Sequence, residues 1–199
     1  MSSAPVLQHA RSGVDTIDAI YDRRAVRSYR PDAVGEETIR TLLDAAIHAP
    51  SAVNAQPWAF AVVQDTKLLQ RISDRAKKLS LERIRPGTRL WEHRAMLEDP
   101  GFNVFYDART LIVVCAAPGD WPPNEDCCFA AQNLMLAAHA LGLATCPIGF
   151  ARDALNEPDW KRELAIPSDH SVVIPIIVGH AREQPPPTPR KDARILSWR

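Results

Sequence analysis

The stretch Asn124-Glu125-Asp126-Cys127-Cys128-Phe129-Ala130-Ala131-Gln132-Asn133-Leu134-Met135-Leu136-Ala137-Ala138-His139-Ala140-Leu141-Gly142 sets the frame of this chain. Asn124 is expected to cap a helix, with Glu125 and Asp126 in the first turn, where the positive end of the helix dipole favours carboxylates. Gly142 is the stop signal. Between them Cys127, Phe129, Ala131, Leu134, Met135, Leu136 and Ala138 put apolar side chains nearly all round. A helix without a polar face is buried on every side. In a chain of 199 residues it is expected at the centre, pressed against a partner subunit.

On either side of that helix lie apolar runs too short for helices. Leu111 to Ala116 is continuous and reads as a buried strand, and Ala144–Ile148 and Val172–Val178 give two more. Trp58–Val63, aromatic and β-branched, gives a fourth. Helices precede and follow it. Asp15 is expected to cap one carrying Val14, Ile17, Ile20 and Tyr21 on one side. Glu36 to His48 places Ile39, Leu42, Leu43, Ala46 and Ile47 at helical spacing before Pro50 stops it. Another helix starts near Lys67, with Leu68, Leu69 and Ile72 inward.

Two segments fit neither pattern. Residues 83–106 mix Arg, Pro, Gly and aromatics and read as an excursion or cap over a site. Residues 184–199 begin with Pro185-Pro186-Pro187-Thr188-Pro189, a stiff polyproline arm. Its tip carries Ile195, Leu196 and Trp198, which need a surface, so the arm is expected to embrace a neighbour. No internal repeat or linker divides the chain, and residues 1–199 read as one domain.

Composition narrows the function classes. Lys plus Arg and Asp plus Glu each total 24, so no nucleic-acid or anionic-membrane partner is expected. No run approaches the roughly 20 apolar residues of a membrane-spanning helix. Met1 to Gln8 lack the pattern of a signal peptide, so the expected location is cytoplasmic. Cys115, Cys127, Cys128 and Cys146 stand among apolar neighbours without metal-ligand spacing, and read as buried free thiols. His48, His139 and His180 read as core or cap residues, not catalytic bases.

Three short constellations carry the chemistry. Arg23-Arg24-Ala25-Val26-Arg27 crowds three guanidiniums into five residues. They repel one another unless solvated or matched to an anion. Taken alone, the segment reads equally well as a solvated basic turn. Ala49-Pro50-Ser51-Ala52-Val53-Asn54-Ala55-Gln56-Pro57-Trp58 sets a hydroxyl and two amides between two prolines. Amides donate and accept, which suits the edge of a heteroaromatic ring, although a rigid turn that satisfies its own backbone uses the same residues. Leu141-Gly142-Leu143-Ala144-Thr145-Cys146-Pro147-Ile148-Gly149-Phe150 ends an apolar strand where backbone N–H groups are free for a ligand.

In this order the three segments resemble the FMN-dependent nitroreductase family, over Ile17 to Trp198. Arg23-Arg24-x-x-Arg27 and Pro50-Ser51-x-x-Asn54-x-Gln56-Pro57-Trp58 are the most specific pieces. The run Ala130–Leu143 is similar to the family's central dimer helix. The resemblance implies an α+β fold with a central, mostly antiparallel sheet flanked by helices. It implies a homodimer with a swapped C-terminal arm and two FMN sites at the interface, each drawn from both chains. By position, Arg23 and Arg24 would face the FMN phosphate and ribityl chain, with Ala25 beside them and Arg27 near the pyrimidine edge. Pro50, Ser51 and Asn54 would come from the other subunit, and Gln56 would read the ring edge. Pro147, Ile148 and Gly149 would lie against the ring, and Arg190 and Lys191 would reach the phosphate.

Two positions depart from the family: Ala25 and Ala52 stand where hydroxyls are common. Each loss removes a hydrogen bond worth about 1 kcal/mol. Five cations remain, each able to make a charge-assisted bond of about 1.5–3 kcal/mol, so FMN binding is expected to survive. No Gly-x-Gly-x-x-Gly follows a strand. NADH or NADPH would therefore visit the flavin face without a Rossmann site, in alternation with a small organic acceptor such as a nitroaromatic, quinone or enone. The alternatives are a same-fold flavin enzyme of other chemistry (flavin destruction, reductive dehalogenation) and a non-enzymatic flavin-binding dimer. Arg85, Arg89, Trp91 and Phe102 in the cap suit an aromatic or anionic substrate.

Overall fold

Asp15 accepts a hydrogen bond from the Ile17 N–H at 2.8 Å and starts α1, Thr16–Asp22. The structure, a computed structural model, describes residues 13–119 and 122–199, so the reading of Met1–Gln8 lies outside the described residues. The element α2 is Glu36–Ile47, with Ile39, Leu42 and Ala46 buried and His48 as its C-cap. The strand β1 is Trp58–Val63. Asp65 caps α3, Thr66–Arg83, accepting from the Lys67 and Leu68 N–H groups. The excursion that follows holds a short 3-10 turn, Arg89–His93, and α4, Arg94–Glu98. Next come β2, Thr110–Ala116, and α5, Pro123–Ala140. The strand β3 is Ala144–Pro147; α6 is Arg152–Leu155, α7 is Pro158–Glu163 and β4 is Ser171–Gly179.

The four strands form one sheet in the order β1-β2-β4-β3, every pair antiparallel. Strand alternation sends successive side chains of β2 to opposite faces. Leu111, Val113 and Cys115 enter one core with Ile72 and Ala76 of α3 and Leu155 of α6. Ile112, Val114 and Ala116 enter a second core with Leu42 of α2 and Ala130 and Leu134 of α5. A sheet buried on both faces explains why β2 is a continuous apolar run. The expected α+β architecture is thus observed.

Two readings of α5 are corrected. Pro122 occupies the N-cap position, and Asn124 falls inside the first turn because Pro123 serves as the opening helical residue. Nor is the helix buried on every side within one chain. Cys127, Ala130, Ala131, Leu134, Met135 and Ala138 pack inward, while Phe129 is 50% exposed and Cys128 faces solvent. Ile17, Ile20 and Tyr21 of α1, which their spacing sets on one side of the first helix, are exposed as well.

Candidate functional site

The site is built where β3 and β4 end. The Val26 N–H donates to the Thr145 carbonyl at 3.1 Å, and Ala25 and Thr145 form a parallel bridge. Four residues on, the Arg30 N–H reaches the His180 carbonyl at 2.9 Å, and the Arg182 N–H reaches Ser28 at 3.0 Å. Tyr29 pins the segment from inside: it is buried, and its hydroxyl donates to the Val26 carbonyl at 2.9 Å. Its ring lies so close to Gly179 that a Cβ there would come within 2.8 Å of the ring carbon Cδ1. Only glycine allows that approach.

The Arg23–Arg27 segment is therefore fixed through its backbone, while its guanidiniums remain short of partners. Arg23 and Arg24 are half-buried, and the Nε of each is sealed from water without an acceptor. An Nη of Arg24 donates to the Tyr21 carbonyl at 2.6 Å, tying it to the end of α1. Burial holds the Arg23 guanidinium below its ordinary pKa, and the charges of Arg190 and Arg24 add to the effect. The tail thus brings the charge of Arg190 within reach of Arg23, while an Nη of Arg190 donates to the Thr188 and Pro189 carbonyls at 3.3 and 3.5 Å. Lys191 is exposed, with no ion pair or hydrogen bond among the described residues. Two adjacent guanidiniums with unsatisfied N–H groups, and a third cation near one of them, make an arrangement suited to an anion.

Beside this cluster lies a cavity of about 450 Å³ lined by Arg27, Pro147, Ile148 and Gly149, four of the expected residues. The Ile148 N–H is committed to the Pro175 carbonyl at 2.8 Å, so it is not the donor this strand end offers a ligand; the Gly149 N–H, next in the chain, opens the 3-10 turn. Arg27 lies over the Tyr106 ring at 5.9 Å. Burial raises the Cys146 thiol above its ordinary pKa although Arg27 and Arg23 pull it down. Cys115 and Cys127 are likewise pushed up, to about 11 and about 12, chiefly by burial. These three are inert buried thiols, as expected; Cys128 is the exception, standing on the exposed side of α5.

The excursion does line this cavity, but of the four cap residues expected from the sequence Arg89 alone takes part. Arg89, Leu90, His93 and Tyr106 line it, whereas Arg85, Trp91 and Phe102 do not. Arg85 turns back to the carbonyls of Glu82 and Ile84, and Trp91 packs its ring under Arg94 at 5.0 Å. Phe102 stacks edge-on against Tyr106. Tyr106 and Phe150 had no signal in the sequence beyond being aromatic. What places Tyr106 is a left-handed turn, with φ of 51° at Tyr106 and 57° at Asp107.

The Pro50–Pro57 segment is not brought to this cavity within one chain. It is a rigid loop: the Gln56 N–H donates to Ser51 Oγ, and the Gln56 side chain donates to Asn54 Oδ1, each at 3.0 Å. Buried Asp126 accepts from the Ala52 N–H. Val53, Asn54 and Gln56 all hold positive φ, rare for residues with side chains and of order 1–3 kcal/mol each. Among the described residues no His, Cys, Asp or Glu cluster is placed to hold a metal, and no helix is long and apolar enough to cross a membrane.

Comparison with known proteins gives one answer. The model of the nitroreductase family matches residues 20–180. A protein of Methanothermobacter thermautotrophicus, provisionally named NADH dehydrogenase/NAD(P)H nitroreductase, is 33% identical over 181 residues, 87% of this chain and 81% of its own. An iodotyrosine deiodinase of Thermotoga neapolitana is 27% identical over 89% of this chain and 95% of its own. Among solved structures, a nitroreductase with bound FMN from Desulfitobacterium hafniense superposes with a TM-score of 0.80 at 25% identity, covering 92% of this chain and 98% of that one.

Proposed function

The chain belongs to the nitroreductase family, and from that premise we propose that it is an FMN-dependent oxidoreductase that uses NADH or NADPH to reduce a small organic acceptor. The acceptor is of nitroaromatic, quinone or enone type. The observation that carries the reading is the pair of buried guanidinium nitrogens, Nε of Arg23 and Nε of Arg24, left without an acceptor, with the charge of Arg190 acting on Arg23. The repulsion among them is relieved by an anion of phosphate kind, and the residues present fit that group. When bound, FMN supplies the two-electron chemistry between the nicotinamide and the acceptor.

The rest is the work of the chain. Arg23, Arg24, Arg190 and Lys191 hold the phosphate and ribityl end, with Ala25 forming the floor. Arg27 holds negative charge at the pyrimidine edge, and Pro147, Ile148 and Gly149 carry the ring, Gly149 through its backbone N–H. Pro50, Ser51, Asn54 and Gln56 complete the site from a second copy. The apolar side chains left exposed on α1 and α5, Ile17, Ile20, Tyr21 and Phe129, support a homodimer, since so much apolar surface rarely stays open to water. The arm at 184–199, exposed along nearly its whole length, swaps onto that partner. With no second nucleotide site, donor and acceptor take turns at one face.

The relative named iodotyrosine deiodinase favours a second reading, reductive dehalogenation at the same site. Purified protein decides both levels. It should be yellow, release FMN on heating, and bleach with NADPH. Acceptors of each class, halogenated phenols included, are then tested for restoring the colour. Colourless protein that takes up no added FMN refutes the proposal.

A further inference from the structure

We propose that Arg89 reads an anionic group on the acceptor, so that the preferred substrate is a flat conjugated molecule bearing a carboxylate, phosphate or sulfonate. This rests on the reading of the cavity beside Pro147–Gly149 as the flavin face. The excursion carries four guanidiniums: Arg83, Arg85, Arg89 and Arg94. Three are engaged. Arg83 pairs with Asp153 across the cavity wall, Arg85 donates to the Glu82 and Ile84 carbonyls, and Arg94 pairs with Glu98 at 2.7 Å over the Trp91 ring. Among the described residues Arg89 alone of the four has neither ion pair nor hydrogen bond, and Glu92, three residues on, makes no pair with it. It is also the member of the four that lines the cavity without a counter-ion.

The surroundings define the remainder of the ligand. Phe150 and His93 meet edge to face, centroids 5.9 Å apart at 84°, and with Tyr106, Ile148 and Leu90 make a slot for a flat ring. Asp153 is the one carboxylate on the wall, and Arg83 neutralises it. The slot therefore repels cations, accepts neutral rings and attracts anions. Arg27, also on the wall, already lies over Tyr106, which leaves Arg89 to choose the substituent. Its fork matches a planar or tetrahedral oxyanion in two-point contact.

The test uses the FMN-loaded protein and a pair of ligands differing only in charge, benzoate and benzamide, titrated by perturbation of the flavin absorption band. Steady-state reduction of 4-nitrobenzoate and 4-nitrobenzamide follows. In the wild type the anion should bind about tenfold tighter, the worth of one partly exposed charged contact, and the advantage should shrink as salt is added. Arg89→Gln should abolish that advantage while leaving flavin content and benzamide binding unchanged. Arg89→Lys should restore part of it. The inference is overturned if Arg89→Gln weakens both ligands equally, or if it raises KM for NADPH but not NADH, which would assign the guanidinium to the donor's phosphate. Loss of FMN from the wild type would instead strike at the underlying reading, and it is seen as absent colour before any titration.

Discussion

Removing Arg23 should weaken FMN and leave the empty protein no less stable, a combination that a purely structural arginine cannot give. Its guanidinium is half-buried beside Arg24, under the charge of Arg190, and its Nε has no acceptor. Arg23→Gln then takes away a repelled, poorly solvated cation, and the melting temperature of the apoprotein should stay or rise slightly. With phosphate present the same change removes a charge-assisted hydrogen bond of about 1.5–3 kcal/mol. At about 1.4 kcal/mol per factor of ten, the dissociation constant of FMN should rise roughly 10- to 100-fold. Fluorescence titration of apoprotein with FMN gives the constant, and thermal melts with and without excess FMN give the stability. The stabilisation by added FMN should shrink in step with affinity. An unchanged dissociation constant together with a lower apoprotein melting temperature would refute the assignment and make Arg23 a packing residue. Arg24→Gln is the control: it should cost stability too, because its Nη group bonds the Tyr21 carbonyl at the end of α1.

Arg27→Ala should lower the two-electron potential of the bound flavin and slow its reduction, at roughly 30 mV for each 1.4 kcal/mol lost. Potentiometry checks it, and an unchanged potential removes Arg27 from the ring edge. Gly179→Ala sets a methyl against the buried Tyr29 ring. It should cost about 1–3 kcal/mol and weaken FMN as well, because Tyr29 anchors the arginine segment. Unaltered melting would mean that the ring gives way freely. Truncation after Gln184 removes Arg190, Lys191 and Trp198 together, and should weaken both dimer and FMN in sedimentation and titration; a truncated chain that keeps both has no use for its arm. Double-reciprocal plots for NADPH and acceptor should be parallel, and intersecting lines would require separate sites.

The elements were legible where one physical signal dominated. β2 and β4 showed themselves as apolar runs because both faces of those strands are covered. The first helix was placed by Asp15 because its side chain caps locally, within two residues. Asn124 misled for a related reason: it is a good cap, but Pro122 and Pro123 open the helix earlier, and proline's fixed φ outweighs a competing side chain there. The arginine cluster was legible because charge density is a property of sequence alone. The cap was not. Which of Arg85, Arg89, Trp91 and Phe102 faces the cavity depends on the path of a 3-10 turn and on positive φ at Tyr106 and Asp107, two non-glycine residues without turn signature. Nor could a sequence show that Lys77, charged and nearly buried, anchors that path by donating to the Asp99 and Phe102 carbonyls at 2.6 and 2.8 Å.

On the proposed reading, the site is one where a fold holds like charges together for an anionic ligand. Among the described residues no carboxylate pairs with Arg23, Arg24 or Arg190, and the segment that carries Arg23 and Arg24 is held by its backbone. Val26 is bonded to Thr145, Arg30 to His180 and Arg182 to Ser28, and Tyr29 is locked over Gly179. Ion pairs would have neutralised the cluster and competed with an incoming phosphate. Bonds between backbone groups leave the guanidiniums charged, partly desolvated and already aimed. The cost of assembling them is met by the sheet and its two cores on folding, and the gain is returned when an anion binds. The same logic accounts for the Pro50–Pro57 loop, whose positive φ angles are held by Asp126 and by its own amides and not by any residue of the cavity. A loop stiffened in that manner, on a chain whose α1 and α5 still expose apolar flanks, suits the proposed role of completing a site on a second copy.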